Sequence, residues 1–456
     1  MQKKILAVIV VVIVVIAAVA AIELAPKTPS ADARNIKIGL VAPLSTSIGQ
    51  DMSAAAQMAV QEINDAGGVY VSSWNTKVNL TIVNVDTKTD GVPADAVTAV
   101  TQAVESEQVD MLIGGYGSAA TLADEKVAID NRVPFIITGA SSQLVTRRGP
   151  QGNYGGFGPT GANSLSDAEG MSYMFHYCTT TYDYSKTVVD FFAQEMKPLV
   201  AADRNFSLAI LYRNDAFGQG VEQATKFWIQ NESLPITLVA DRPHDAGNSD
   251  FHTDLTAIKA TNPDAVFVAD NPDMTPLAIK QGWQDVSLKT VYMAVENNQD
   301  PVFYSLVGSV GNGQLLESKM DPFMTPSYLP AVGAYSQKFN QTYGKMPGMM
   351  GADTYDAFYV AKDAIERAGT VDKATVRTAI ENTNMNQMLI MTQSGKIQFS
   401  TGVNYHEISP LTFIEQFKWD ATTSQLQSQI VWPASAGGVT LKQADFALPD
   451  GYVAGQ

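Results

Sequence analysis

The sequence contains almost no cysteine. A single residue of that type, Cys178, occurs in 456 residues. An intramolecular disulfide needs two cysteines and a thiolate-based metal site needs several, so both are excluded. The N-terminal region also lacks the cysteine to which bacterial lipoproteins attach their lipid. Any attachment to a membrane must therefore come from the peptide itself.

Basic residues are scarce relative to acidic ones. The chain has 30 lysines and arginines against 46 aspartates and glutamates, which gives a formal net charge of −16. Binding to nucleic acid requires clustered basic side chains that neutralise phosphates. The composition therefore argues against a nucleic-acid partner.

Motifs of catalysis are also missing. The chain has no G-x-S-x-G, no phosphate loop ending in Gly-Lys-Ser/Thr, and only four histidines. Acids and histidines cluster only at 241–254, where they could bind a divalent ion. Pro243, Gly247 and Asn248 in the same segment are more typical of a polar surface loop. The sequence predicts a protein that is not an enzyme and that has no cofactor and no metal site.

The N-terminus contains one long apolar run. Lys3 and Lys4 precede 18 uninterrupted apolar residues at 5–22. Such a run fits a secretory signal peptide or a membrane-spanning anchor, and both predict export of the remainder. A typical signal core has about 7 to 15 residues, which favours a retained anchor. We expect 1–23 to be signal peptide or anchor and 24–35 to be a linker, so that the chain is extracytoplasmic, in the periplasm or tethered at the cell surface.

From Ile36 onward, short apolar strands alternate with amphipathic helices. Strands are predicted at 36–41, 78–85, 111–113 and 133–138, then at 207–211, 236–240, 265–269 and 290–294. This alternation predicts an α/β fold with two parallel sheets flanked by helices. Long helices are predicted at 330–343, 353–368 and 373–382, and late strands at 396–399 and 412–419. Such an order indicates that the chain crosses between two lobes more than once.

Two neighbouring strands of the first series end in small and hydroxylated residues. These are Gly114, Gly115, Gly117 and Ser118 after one strand, and Ala140, Ser141 and Ser142 after the next. In an open parallel sheet, ligands bind beyond the carboxyl ends of the strands, where helix N–H groups are unpaired. The same residues also suit ordinary tight turns. From this stretch alone, a ligand-binding wall and a purely structural role are equally favoured.

Four segments, in order, read IKIGLVAPLS at 36–45, QMAVQEINDAGG at 57–68, RNDAFGQG at 213–220 and YDAF at 355–358. Together they resemble the leucine/isoleucine/valine-binding protein family, the branched-chain amino acid substrate-binding proteins of ABC transporters. The resemblance extends over about 36–419 and implies a type I periplasmic-binding fold, with two Rossmann-like lobes joined by a three-crossover hinge. It also implies that lobe 1 contains 36–175 and 320–392, and lobe 2 contains 176–319 and 393–456.

The resemblance implies a set of ligand-binding residues. The cluster that holds the carboxylate of an amino acid corresponds to Ser118, Ala140, Ser141 and Ser142, with Tyr116 beside it. The acidic residue for the ammonium group corresponds to Glu296, and the aromatic residue that packs on the ligand corresponds to Phe217. Asp270 departs from the family pattern, since relatives often have a small or aromatic residue there. If Asp270 faces the cleft, two carboxylates would favour a ligand with extra positive charge.

The expected function is that of an extracytoplasmic receptor of an ABC importer. It would close two lobes on a small amphoteric ligand, most simply an amino acid of the branched-chain type. Its expected partners are that ligand and a membrane permease, with no nucleic acid, and the chain is expected to be a monomer. A ligand-binding sensor, or a receptor for an amide, urea or polyamine with the same fold, remains the alternative.

Overall fold

The structure is a computed structural model that describes residues 32–89, 92–149, 165–323, 330–401 and 405–453. The apolar N-terminal run and most of the predicted linker lie outside these residues, so their assignment stays a prediction. Among the described helices, none is long and apolar enough to cross a membrane.

The described strands and helices alternate along most of the chain. The strands are β1 Ile36–Ala42, β2 Val69–Val71, β3 Thr76–Val78, β4 Leu80–Asp86, β5 Met111–Gly114, β6 Phe135–Ile137, β7 Met174–His176, β8 Phe206–Arg213, β9 Ile236–His244, β10 Ala265–Ala269, β11 Val291–Ala294, β12 Leu315–Ser318, β13 Met385–Asn386, β14 Lys396–Ile397, β15 Phe413–Asp420, β16 Gln425–Trp432, β17 Ser435–Ala436 and β18 Val439–Thr440. The helices are α1 Ser47–Asp65, α2 Pro93–Thr101, α3 Ser118–Asp130, α4 Leu144–Arg147, α5 Ala168–Met171, α6 Thr181–Phe191, α7 Lys197–Val200, α8 Ala216–Asn231, α9 His252–Lys259, α10 Thr275–Lys280, α11 Pro301–Val307, α12 Pro330–Tyr343, α13 Met349–Ala368 and α14 Lys373–Glu381.

The first sheet has five strands in the order β4-β1-β5-β6-β7. All neighbouring strands in it are parallel. Ile38 and Leu40 of the second strand in this order are fully buried, as expected for a parallel sheet with helices on both faces. The sequence predicted four of the five strands. It missed β7, because His176 interrupts its apolar run.

The second sheet has seven strands in the order β16-β15-β12-β11-β10-β8-β9. The strands from β12 to β9 are parallel, whereas β15 and β16 form an antiparallel pair at one edge. The late strand predicted at 412–419 is confirmed as β15. Two strands, β12 and β16, were not predicted.

The chain passes between the two sheets three times: from β7 to β8, from β12 to the helices that follow it, and from β14 to β15. α13 packs on α1, and its Met350 and Phe358 belong to the same hydrophobic cluster as Ile38 of β1. We call the first sheet with α1–α5 and α12–α14 the first lobe, and the second sheet with α6–α11 the second lobe. The finer lobe limits at 175 and 392 stay predictions.

Gly114, the last residue of β5, allows two strands to approach each other closely. Its φ is 119°, and a Cβ atom there would lie 2.1 Å from the carbonyl oxygen of Val41 on β1. Gly247 has a φ of 80° in a loop with nothing within 4 Å of an added Cβ. We expect Gly114→Ala to lower the free energy of unfolding by about 3 kcal/mol, because backbone strain and a clash combine. Gly247→Ala, with strain alone, should cost about 1 kcal/mol. Urea unfolding measures both, and equal losses would contradict the packing argument.

Candidate functional site

Loops at the carboxyl ends of both sheets face each other across a cleft. They enclose a cavity of about 20 Å³. Its lining residues are Tyr116, Gly117, Ser118, Gly139 and Ser141 from the first lobe and Arg213, Asp215, Phe217, Asn271 and Asn297 from the second. A cavity of this size holds about one water molecule. The lobes are therefore closed on each other, and a bound solute requires them to move apart or to rearrange.

The first-lobe wall is built around the start of α3. Gly117, with a φ of 84°, precedes the helix, and Ser118 is its first residue. The Oγ atom of Ser118 accepts a hydrogen bond of 3.1 Å from the backbone N–H of Ser142. The N–H groups at the start of a helix have no partners within the helix and attract negative charge. The two serine-rich turns predicted from sequence are thus brought together, although Ser142 itself lies behind the cavity wall.

Tyr116 connects the two lobes directly. Its hydroxyl donates to Oδ1 of Asn271 at 3.0 Å and accepts from Nδ2 of Asn297 at 3.2 Å. Nδ2 of Asn297 also lies 3.3 Å from Oδ1 of Asn271. The two asparagines immediately follow Asp270 and Glu296, which sequence reasoning selected. Their position at strand ends was a usable signal, but only the structure shows that they meet Tyr116.

Glu296 lies at the predicted strand end, but its side chain is fully buried and already has partners. Ser141 donates its hydroxyl to Oε1 at 3.0 Å, and Nζ of Lys319 lies 3.3 Å from Oε2. Lys319 also lies 3.0 Å from Oδ2 of Asp353. Both lysine contacts involve side chains with no exposed surface. Lys319 and Asp353 were missed by the sequence interpretation, and they place a cation next to the carboxylate expected to bind an ammonium group.

Burial dominates the electrostatics of this cluster. Burial raises the pKa of Asp353 well above its ordinary value, and Lys319 opposes that shift. Burial alone would lower the pKa of Lys319, but the carboxyl groups of Asp353 and Glu296 outweigh it and raise that pKa. These contacts favour the charged form of Lys319, which joins a carboxyl group of the first lobe to one of the second.

Asp270 lies behind the cavity wall rather than in it. Its carboxylate is 3.9 Å from Nε of Arg213 and 3.3 Å from Nε2 of His244, and its side chain is 1% exposed. Burial raises its pKa to about 7, against the opposing effect of Arg213. Arg213 itself lines the cavity. The sequence motif contained Arg213, but its role at the cleft was not predicted, and a direct contact of Asp270 with ligand stays a prediction.

Phe217 lies in the first turn of α8 and lines the cavity. Asp215 caps this helix, since its Oδ1 accepts from the N–H groups of Phe217 and Gly218, each at 3.0 Å. The cap fixes the start of α8, and with it the backbone of Phe217, at the cleft. Ala140, by contrast, is buried beside the wall, and its carbonyl oxygen lies 2.7 Å from Nε2 of His176.

The segment 241–254 forms contacts within the second lobe. Arg242 donates to Asp254 at 2.7 Å, and Asp250 lies 2.6 Å from Nδ1 of His252. Across the parts of the chain that the structure describes, no cluster of histidine, cysteine and acidic residues has the arrangement of a metal site.

A larger cavity, of about 420 Å³, lies between the lobes and beside the hinge. Residues 345–347, which connect α12 to α13, form its first-lobe side. Tyr304 of α11 and the hairpin of β15 and β16, including Trp419, form the second-lobe side. None of the site residues predicted from sequence lines it.

The fold and the paired strand-end walls define a class of protein. The chain belongs to the periplasmic binding protein family, whose model matches residues 35–415 and thus both lobes. This is a family of solute-binding receptors rather than enzymes, and it implies an extracytoplasmic location. The fold and the family resemblance predicted from sequence are therefore confirmed.

Individual relatives narrow the class further. The chain is 24% identical to the leucine-, isoleucine-, valine-, threonine- and alanine-binding protein of Pseudomonas aeruginosa over 356 residues, 77% of this chain and 83% of that protein. It is 21% identical to Leu/Ile/Val-binding protein homolog 8 of Brucella abortus, over 72% of this chain and 74% of the other. Its relatives are thus branched-chain amino acid-binding proteins.

Solved structures share the fold. A leucine-binding protein from Thermotoga maritima superposes with a TM-score of 0.69 at 19% identity, covering 86% of this chain and 97% of that one. A solute-binding protein of an ABC transporter from R. palustris, in complex with benzoate, gives a TM-score of 0.69 at 16% identity, covering 91% and 99%.

Proposed function

We propose that this chain is the receptor of an ABC importer, which captures a small amphoteric solute, most simply an amino acid, and performs no chemistry. One observation carries the proposal: strand-end loops of both lobes line the same cavity. Groups that suit a carboxylate lie on one wall and charged groups lie at the other. A ligand that contacts both walls binds the closed form better than the open form, and this difference drives closure.

The residue roles follow from the chemistry of each wall. Ser118 and the N–H groups at the start of α3 would bind the carboxylate, because charge-assisted hydrogen bonds are roughly twice as strong as neutral ones. Glu296 lies behind Ser141 and already contacts Lys319, so it would accept the ammonium group only after the ligand displaces the hydroxyl of Ser141. Phe217 would pack against the body of the ligand. Tyr116, Ala140, Ser142 and Asp270 would support this arrangement.

The proposed receptor has a membrane permease as its partner and lies outside the cytoplasm. The loaded receptor would act as a monomer and deliver its solute to a permease in the membrane. The apolar N-terminal run would hold it at the outer surface. Genes for a permease and an ATPase beside the gene for this chain would support import, whereas a neighbouring signalling protein would support the sensor alternative.

A thermal-shift screen of the full chain in mild detergent tests ligand binding. Amino acids, amides, urea, polyamines and benzoate form the panel. A ligand that binds only the native state stabilises it by about 2.7 kcal/mol at a hundredfold excess over its dissociation constant. We expect at least one carboxylate of the panel to raise the melting temperature. A panel without any such effect would reject the proposed function.

The Ser118→Ala variant tests the carboxylate wall. We expect it to weaken binding of the ligand found in the screen by about 1.5–3 kcal/mol, the range for hydrogen bonds to charged groups. Ser53→Ala is the matched control, since that hydroxyl contacts Gln57 on α1, outside the cleft. Titration calorimetry gives both affinities. An unchanged affinity in Ser118→Ala would remove this residue from the site.

A further inference from the structure

The second-lobe wall of the cavity is polar. It consists of Arg213, Asp215, Asn271 and Asn297, and Phe217 is its one hydrophobic side chain among the described residues. Among the described residues, no aliphatic side chain lines the cavity. An aliphatic ligand side chain usually lies in a largely apolar pocket. This wall offers hydrogen-bond donors and acceptors instead.

Arg213 is the charged donor of this wall. It ends β8, is 4% exposed, and is held by Asp215 through an Nη2 contact of 2.5 Å. Asp270 lies behind it at 3.9 Å. A guanidinium group has five N–H donors in a fixed plane and stays protonated. These partners hold the plane at the cavity, where it matches the geometry of a carboxylate or an amide oxygen.

The two asparagines have a similar role. In the closed structure, their amide groups bond to each other and to the hydroxyl of Tyr116. A solute that enters between the lobes takes the place of these bonds. A polar group on the solute replaces them, whereas an aliphatic group leaves buried amides unsatisfied, at a cost in free energy.

The charge on Glu296 is balanced within the protein by Lys319 at 3.3 Å. The charge on Arg213 is balanced in the same way by Asp215 at 2.5 Å, so charge balance alone does not set the sign of the ligand side chain, and the polar lining of the wall carries the inference. Among the described residues that line the cavity, Arg213 is the cation.

From these contacts we propose that the ligand is an amino acid whose side chain ends in a carboxylate or carboxamide, and that Arg213 is the residue that selects it. This inference rests on the proposed function and specifies the solute. Arg213 donates to the terminal oxygen, while Asn271 and Asn297 bind the remaining polar atoms of the same group.

Leucine, asparagine and aspartate provide a matched comparison, because their side chains have nearly the same shape and differ in polarity. Titration calorimetry on the full chain in detergent should include these three amino acids, glutamate and glutamine. We expect the best polar ligand to bind ~10- to 100-fold more tightly than leucine, the range set by leaving buried polar groups unpaired. Aspartate against asparagine, and glutamate against glutamine, then separate the carboxylate from the carboxamide.

Two variants test the role of Arg213. Arg213→Met should reduce affinity for the polar ligand at least tenfold and leave leucine binding unchanged or improved. Arg213→Lys keeps the charge but loses the planar donor pair, so it should retain an intermediate affinity. Arg34→Met, which changes an arginine distant from the cleft, should leave every affinity unchanged.

The outcomes separate the two proposals. If leucine binds more tightly than all four polar amino acids, the receptor function stands and the polar-ligand inference falls. If Arg213→Lys and Arg213→Met both keep the wild-type ratio of polar ligand to leucine, Arg213 is not the selecting residue. If none of these five amino acids binds and no solute of the thermal-shift panel raises the melting temperature, the proposed function itself fails.

Discussion

Replacing Lys319 with methionine is expected to lower the free energy of unfolding by about 3–5 kcal/mol, the usual loss when a buried ion pair loses one partner. The side chain of Lys319 has no exposed surface and lies within 3.3 Å of Glu296 and 3.0 Å of Asp353. The variant would leave the charge of Glu296 buried without a cation. Urea unfolding of the full chain, followed by far-ultraviolet circular dichroism, measures the loss.

Lys338→Met is the matched control. Its Nζ atom lies 2.6 Å from Oε1 of Glu62, but the lysine side chain is 55% exposed. Water solvates the lysine, and Glu62 keeps the hydrogen bonds from the hydroxyls of Tyr355 and Tyr359, so this variant should lose less than about 1 kcal/mol. Adding Glu296→Gln to Lys319→Met should restore part of the stability, because the uncompensated charge disappears. Equal losses for the two lysine variants would show that burial does not control the strength of these pairs.

Replacing Arg147 with methionine should also lower the free energy of unfolding by about 3–5 kcal/mol. Its Nε and Nη2 atoms donate to the two carboxylate oxygens of Glu407 at 2.7 and 2.6 Å, and both side chains are almost fully buried. The guanidinium also lies 5.4 Å above the ring of Tyr182. The pair fastens the segment before β15 to α4 of the first lobe, so its loss affects the connection between the lobes.

Arg34→Met is the control for this variant, because Arg34 forms a bidentate ion pair of the same geometry with Asp110. Nη1 and Nη2 of Arg34 donate to the oxygens of Asp110 at 2.8 and 2.6 Å. The side chain of Arg34 is 48% exposed, however, so we expect a loss below about 1 kcal/mol. The same unfolding experiment compares both variants. A loss for Arg34→Met as large as that for Arg147→Met would contradict the assigned role of desolvation.

The two parallel sheets were predictable because buried parallel strands form compact apolar runs, as in 36–41 and 265–269. β16 was missed although it alternates between buried and exposed residues, as an edge strand does. The short strands β7 and β12 were missed because His176, Glu317 and Ser318 interrupt their apolar runs, whereas the equally short β5, β6 and β11 are apolar or small throughout. Local signals thus predicted the architecture, while strands with buried polar residues and the edge strand β16 required the structure.

The candidate site was predictable only in part, for a related reason. Ser118, Ser141 and Phe217 follow strands directly, so local sequence indicated that they would lie at one edge of a sheet. Lys319 directly follows β12, which pairs with β11 just before Glu296, so it was missed together with that strand. Asp353 lies on α13 of the first lobe, and only the crossing of the chain between the lobes brings it to this cluster. The position of a buried cation depends on such long-range contacts and leaves no pattern in the sequence around it.

The larger cavity beside the hinge places a tryptophan where movement of the lobes should change its fluorescence. Its wall is formed by the loop 345–347 of the first lobe and by Trp419 of the second lobe. Movement of one lobe against the other changes how much water reaches the indole ring of Trp419, and the wavelength of indole emission depends on that exposure. Trp419 is one of five tryptophans, so a variant with the other four replaced by phenylalanine would report the opening of the cleft without an attached label.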